Sequence, residues 1–222
     1  MLYIDIGNSY AKVLNMGQVE CIPIDQFNFD HFFLKQEVIW VSNVNHSMVL
    51  PKFDNLKEAV VANKYKSLIN GYQDLTELGI DRWLSLIATY EKFPNNSCLV
   101  IDIGSAVTID LLDKKGVHIG GQIAPGLNKL NETFDKFSSS YIETDTPVLG
   151  DSTAIAWSCG IKNMIISYIN SSIEEIKKSY QFDRLIITGG GYKTIKRYIS
   201  HHHIYEEHLV LDGLQLNAKY MG

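Results

Sequence analysis

Short apolar runs broken by glycine set the rhythm of this chain. Residues 2–6 (LYIDI) predict a buried strand stopped at Gly7 and Asn8. Residues 10–15 and 18–24, joined at Met16-Gly17, predict a hairpin. The run 37–42 (EVIWVS) predicts a third core strand, and 58–62 (EAVVA) a short further one. Residues 26–36 and 46–55 predict short helices. In 81–90 (DRWLSLIATY) the residues Trp83, Leu84, Ile87 and Ala88 share one helical face. Phe93-Pro94-Asn95-Asn96 is the strongest break in the chain.

After that break the pattern starts again. Residues 98–103 (CLVIDI) predict a strand ending at Gly104, and 106–112 and 116–121 predict the next two. A helix is expected after Pro125-Gly126, and loop-rich chain over 138–150. A long helix is expected over 152–178, with Asp151 or Ser152 as its N-cap. Residues 184–188 (RLIIT) predict a strand running into Gly189-Gly190-Gly191. A helix, a short strand near 208–210 and a last helix near 212–220 complete the chain. Each half thus opens strand, glycine turn, strand, turn, strand, and the phrase I-D-I-G stands at both 4–7 and 101–104. This is an internal duplication of one α/β unit, with domains at 1–95 and 96–222. A cleft between two such domains is the expected ligand site.

Composition narrows the functional classes. With 45% hydrophobic and 20% charged residues the chain can fill a real core. A net charge of -5 leaves no basic footprint for nucleic acid and no cationic stretch for a membrane surface. No apolar run reaches the length of a membrane span, and no signal peptide is visible at the N-terminus. Cys21, Cys98 and Cys159 are isolated, which fits reduced thiols in a cytoplasmic protein.

The doubled phrase carries the candidate chemistry. Asp5 is a carboxylate inside an apolar strand and needs a partner there. Gly7 permits a tight turn close to a ligand, Asn8 and Ser9 add donors, and Lys12 returns over the turn. Such a turn can cradle phosphate while the carboxylate positions Mg²⁺. An ordinary hairpin with a strand-end Asp explains either copy alone; the repetition favours a polyphosphate held from two sides. Asp102, Gly104 and Ser105 repeat the arrangement, with Thr108 and Asp110 on one face of the following strand. Neither a P-loop nor a Rossmann glycine pattern occurs. Gly79-Ile80-Asp81-Arg82 opens a helix after a loop containing Tyr72. Asp81 reads either as a helix cap or as a carboxylate base beside a guanidinium. Gly120 to Gly126 and Gly189 to Gly191 permit close backbone approach to a ligand or simply a tight turn. His201-His202-His203 reads as a solvated loop, since three consecutive side chains cannot face one ion in regular structure.

Together these pieces resemble the type III pantothenate kinases. The resemblance rests on D-I-G-N-S-x-x-K at 5–12, G-I-D-R at 79–82, D-I-G-S-A-x-T-x-D at 102–110, G-G-Q-I-A-P-G at 120–126 and P-x-L-G-x-S-T-A-I at 147–155. It runs nearly end to end, and the five motifs in this order are highly specific. It implies two tandem ribonuclease-H-like domains of the actin-like ATPase kind. It implies ATP-dependent phosphorylation of pantothenate, the first step of coenzyme A biosynthesis. Asp5, Ile6, Gly7, Asn8, Ser9, Tyr10, Ala11, Lys12 and Ser105 would hold the ATP phosphates, with Asp5 near Mg²⁺. Asp81 would accept the proton. Tyr72, Gly79, Ile80, Asp81, Arg82 and Thr153 would contact pantothenate, and Asp102 would ligate a monovalent cation, K⁺ or NH₄⁺. The resemblance also implies a homodimer. A non-catalytic nucleotide-binding regulator on the same fold is the alternative.

Three departures from the family pattern stand out. Ser9 and Ser105 replace the usual Thr and keep the hydroxyl. The loop before G-I-D-R reads Tyr72-Gln73-Asp74-Leu75 where the family has Y-x-x-P, so a looser loop is expected. The connections at 43–71 and 192–211 look trimmed.

Overall fold

A computed structural model describes residues 1–33, 38–133 and 149–221. The first sheet contains β1 (Leu2–Ile6), β2 (Tyr10–Asn15), β3 (Gln18–Pro23), β4 (Ile39–Asn43) and β5 (Leu56–Glu58) in the order β3-β2-β1-β4-β5. The first three strands form an antiparallel meander, and β4 and β5 run parallel to β1. Met16 and Gly17 both have positive φ, 49° and 83°. That pair closes the β2–β3 hairpin with the twist that adjacent strands need. A short ribbon of β6 (Lys64–Tyr65) and β7 (Leu68–Ile69) follows.

The second sheet repeats the plan. Its strands β8 (Cys98–Ile103), β9 (Ala106–Leu112), β10 (His118–Pro125), β11 (Arg184–Thr188) and β12 (Ile204–Tyr205) lie in the order β10-β9-β8-β11-β12. Third, second, first, fourth, fifth: the same permutation occurs twice. The chain is therefore an α/β protein with two copies of the ribonuclease-H-like strand order. By contacts, the first compact unit holds the described residues of Met1–Cys98, Asp110–Gly120 and His208–Gly222. The second holds those of Leu99–Ile109 and Gly121–Glu207.

The helices between the strands are α1 (Asp30–Phe33), α2 (Ile80–Lys92), α3 (Leu127–Glu132), α4 (Thr153–Ser179), α5 (Tyr192–Ile195) and α6 (Leu209–Met221). Several differ from expectation. The helix expected over 26–36 is described only at Asp30–Phe33, and residues 34–37 lie outside the described residues. No helix forms over 46–55. There the Asn43 Oδ1 accepts from Asn45 N at 3.0 Å, and the Asn45 Oδ1 accepts from Ser47 N at 3.0 Å. Met48 N donates to Asn45 O at 2.9 Å in a single turn, and Pro51 has no N–H with which to carry a helix through the segment. The strand expected at 58–62 lies earlier, at Leu56–Glu58, and the one expected at 116–121 lies at His118–Pro125. The strand near 208–210 is instead at Ile204–Tyr205, and α6 begins at Leu209. Most of the loop expected over 138–150, and Pro147 of the fifth motif, lie outside the described residues.

Packing explains why the first unit holds its shape. Leu2, Ile4, Ile6, Ala11, Val13, Ile39 and Val41 from three strands join Phe27 and Phe29 in one cluster. Helix α2 is buried from Arg82 through Thr89 on every face, which an ordinary amphipathic surface helix is not. Helix α6 packs on it. Gly213 of α6 lies directly on the Leu84 carbonyl of α2, where a Cβ has no room. Adding a branched side chain there must push the helices apart. Gly213→Val is expected to lower stability by about 2 kcal/mol or more, measured by urea unfolding. Wild-type stability in that variant would show that the helices do not meet so closely.

Candidate active site

Asp5 sits in the middle of the first sheet. In register, Lys12 of β2 is its neighbour on one side and Ser42 of β4 on the other. Residues paired across strands project from the same face, so these three side chains form one row. Asp5 is only 7% exposed. Burial pushes its carboxyl up to about 6, Lys12 pulls it down, and the charge of Asp81 pushes it up again. Ser42 alongside favours the charged form, yet neither Asp5 Oδ1 nor Ser42 Oγ has a partner at ordinary hydrogen-bond geometry. Two buried oxygens side by side, both unsatisfied, are an expensive arrangement unless something binds them. Beyond them Gly7 N donates to Tyr10 O at 3.0 Å, closing the turn that carries Asn8 and Ser9.

Asp81 is placed by the start of α2. Gly79 is the N-cap, with extended backbone (φ −60°, ψ 139°). Asp81 Oδ1 accepts from Arg82 N at 2.8 Å, satisfying one of the free donors of the first turn. A Cβ at Gly79 would come within 2.6 Å of that same oxygen, so glycine is what lets the carboxylate fold back. Burial raises the Asp81 pKa, the Arg82 amide and guanidinium oppose it, and the net shift is upward.

Arg82 points elsewhere. Its Nε donates to Asp110 Oδ2 at 2.9 Å, its Nη2 to Asp110 Oδ1 at 2.6 Å, and its Nη1 to Tyr72 Oη at 2.9 Å. Both charged partners are about 4% exposed. Burial works against each charge, but the bidentate pair outweighs it. The Asp110 pKa is lowered and the Arg82 pKa raised. His118 Nε2 adds a third contact to Asp110 Oδ1 at 2.8 Å.

The second unit carries the other candidates. Asp102 lies near the end of β8, and Gly104 N donates to Ala106 O at 2.9 Å across the turn holding Ser105. Gly189, with φ +95°, lies against Asp102 Oδ1 and the Ile103 carbonyl, leaving no space for a side chain. Gly191 N donates to Ile103 O at 2.8 Å and Gly126 N to Ser105 O at 2.9 Å. Two glycine segments, 189–191 and the one ending at Gly126, therefore converge on the D-I-G-S turn. The segment 120–125 is strand rather than loop. Thr153 is the exposed first residue of α4, whose N-cap Ser152 accepts from Ile155 N at 3.4 Å.

A sequence profile of the type III pantothenate kinase family matches residues 24–175. A type III pantothenate kinase of Hahella chejuensis is 39% identical over 174 residues, covering 77% of this chain and 71% of the relative. The chain belongs to the type III pantothenate kinase family. A Campylobacter jejuni protein named as a Baf family transcriptional activator is similar in structure, with TM-score 0.66 and 27% identity over 99% of this chain and 98% of that one. The activator of 2-hydroxyisocaproyl-CoA dehydratase from Clostridium difficile shares the fold at 11% identity, with TM-score 0.55 over 99% of this chain and 95% of that one.

Against the family pattern, the missing proline at Leu75 does not leave the loop unsupported. Asp74 Oδ1 accepts from Thr76 N at 2.9 Å and from Thr76 Oγ1 at 2.6 Å, capping a 3-10 turn at Leu75–Glu77. Tyr72 N donates to Asn70 Oδ1 at 3.1 Å. The three histidines lie in a loop, as expected, with two of them half-buried. His201 contacts Lys177 at 3.0 Å and His203 contacts Tyr192 at 3.0 Å, while His202 is exposed. Sequence reasoning missed Ser42 and His118, and it placed Asp110 on one face of its strand without finding its partners. Ser42 had one signal, a polar residue closing an apolar strand; its place beside Asp5 depends on strand register.

Asp5 gives a pH prediction for the ligand-free protein without divalent cations. Its folded pKa of about 6 lies above the ordinary 3.8. The native state binds the extra proton between those values, so this contribution to stability falls as pH rises through that window. Asp5→Asn should remove a pH-dependent loss on the order of 2–3 kcal/mol, read by urea unfolding at about pH 4 and about pH 7. An unchanged pH profile would mean another group titrates there.

Proposed function

We propose that this protein phosphorylates pantothenate at its 4′-hydroxyl, using ATP, as a type III pantothenate kinase. One observation carries the mechanism. Asp81 is a carboxylate of raised pKa, locked through Oδ1 into the first turn of α2 and within electrostatic reach of Asp5. A raised pKa makes a better proton acceptor at neutral pH. Asp81 Oδ2 takes the proton of the attacking hydroxyl as that oxygen bonds to the γ-phosphorus. The bond from phosphorus to the bridging oxygen breaks, and ADP leaves with its electron pair.

Asp5 and Lys12 face the phosphates from the first glycine turn. The residues there suit Mg²⁺, because Asp5 Oδ1 and Ser42 Oγ are buried oxygens without partners. Among the described residues no group of three or more His, Cys, Asp or Glu side chains could hold a metal. That suits an ion held by one carboxylate, phosphate oxygens and water. Bound Mg²⁺ would neutralise phosphate charge. Backbone amides of Gly7 to Ala11, with the Ser9 hydroxyl, serve the same phosphates, and Ser105 is their counterpart in the second unit. Asp102 is assigned the monovalent cation, K⁺ or NH₄⁺; its Oδ1 and the Ile103 carbonyl both lie against Gly189. Tyr72, Gly79, Ile80 and Thr153 are assigned to pantothenate. Arg82 acts there by holding Tyr72, since its guanidinium is already committed to Asp110.

The proposal includes a homodimer and a cytoplasmic location. None of the three cysteines is in a disulfide, as a reducing compartment permits, and no described helix is long and apolar enough to cross a membrane. Intact Asp5, Asp81 and Asp102 favour catalysis over a non-catalytic nucleotide-binding regulator, because a decayed site would shed carboxylates that are costly to bury.

ADP release should require both pantothenate and K⁺ or NH₄⁺. Release without pantothenate would point to another acceptor or to hydrolysis. Asp81→Asn should bind ATP yet lose roughly 10²–10⁴-fold in kcat. Normal turnover in that variant would remove Asp81 from the mechanism. Asp102→Ala should abolish activation by the monovalent cation; a variant still activated by K⁺ would place the cation elsewhere.

A further inference from the structure

Four side chains of the first unit close a ring around the base of α2. Arg82 donates to Tyr72 and twice to Asp110, Asp110 accepts from His118, and the His118 ring stacks on the Tyr72 ring at 5.4 Å and 22°. The Arg82 guanidinium carbon lies 5.4 Å from the centre of the Tyr72 ring. His118 is completely buried. Its Nδ1 has no hydrogen-bond partner, whereas its Nε2 meets a carboxylate. A proton on Nδ1 would be a buried donor with nowhere to go, so the geometry assigns the Nε2–H tautomer.

A bidentate pair alone would hold Arg82 and Asp110 together. It would leave the pair free to tilt about the Asp110 side chain. The third bond, from His118 to Oδ1, removes that freedom. Gly71 packs on the His118 carbonyl, so the strap carrying Tyr72 is anchored to the same residue. The ring reaches the candidate base through the Arg82 amide, which donates to Asp81 Oδ1 at 2.8 Å.

We propose that His118 is a positioning residue for phosphoryl transfer: it orients Asp110, and through Arg82 it sets both the Asp81 carboxylate and the Tyr72 ring. The inference rests on the kinase reading above for its kinetic consequence, but its structural part stands apart from it.

The test compares His118→Phe, which keeps ring volume and removes the donor, with His118→Gln, whose amide nitrogen can reach the Nε2 position. Kinetics and nitrogen NMR are read on the full-length protein. In His118→Phe, kcat/KM for pantothenate is expected to fall by about tenfold or more, because small misplacements of reacting groups are costly. KM for ATP should stay within about twofold, since no ring member is assigned to the phosphates. His118→Gln should recover most of the loss. Wild-type kinetics in His118→Phe would overturn the proposal. So would equal losses in both variants that merely track their unfolding midpoints. If the wild-type protein shows no pantothenate-dependent ADP release, the kinase reading fails and NMR still decides the positioning. The ring predicts an Nε2–H imidazole at His118 and a slowly exchanging Arg82 Nε–H that is lost in His118→Phe. An Arg82 signal unchanged in that variant would overturn it.

Discussion

A guanidinium and a carboxylate, both almost wholly withdrawn from water, hold this structure's chemistry in place. Arg82 and Asp110 are tolerable in the interior because they pair with each other and each carries a further hydrogen bond. Two bonds join them directly, Tyr72 takes a third donor of the arginine, and His118 takes the remaining approach to Asp110. Such a network is all or nothing: removing one member leaves a buried charge or donor exposed to a low-dielectric surrounding. Its position follows from helix α2, buried on all faces and clamped by Gly213 of α6 against Leu84. The catalytic candidate Asp81 is the residue before Arg82. Fixing the arginine side chain fixes the helix turn from which Asp81 projects.

The duplication shows how one architecture gives two carboxylates different surroundings. Both sheets have the same strand order, and both first strands end in Asp-Ile-Gly. Asp5 is buried between Lys12 and Ser42 and carries a raised pKa. Asp102 is only half-buried and has the glycine backbone at 189 and 191 around its turn. The first environment suits a carboxylate that needs a counter-charge of high density. The second leaves its carboxylate partly open, against the Gly189 backbone. Position in the fold is shared; neighbours from the adjoining strands decide the chemistry.

Local side-chain chemistry replaced expected elements at several places. Asn43 and Asn45 hold the backbone donors two residues on, and Pro51 has no N–H, so 46–55 does not become a helix. Asp74 and Thr76 do the same before α2, giving order where the family's proline is missing. In both cases a short polar side chain holds a nearby backbone donor.

The sequence by itself determined the duplication, the glycine turns, the long capped helix α4 and the identity of Asp5, Asp81 and Asp102 as candidates. These depend on period, punctuation and spacing, all of which are local. Tertiary structure alone decided that Ser42 lies beside Asp5, that Arg82 faces Asp110 rather than standing open to an anion, and that His118 completes the pair. Each of those joins residues from different strands or from a strand and a helix. Strand register and helix rotation bring them together, and no period within one segment encodes which side chain a distant strand will present.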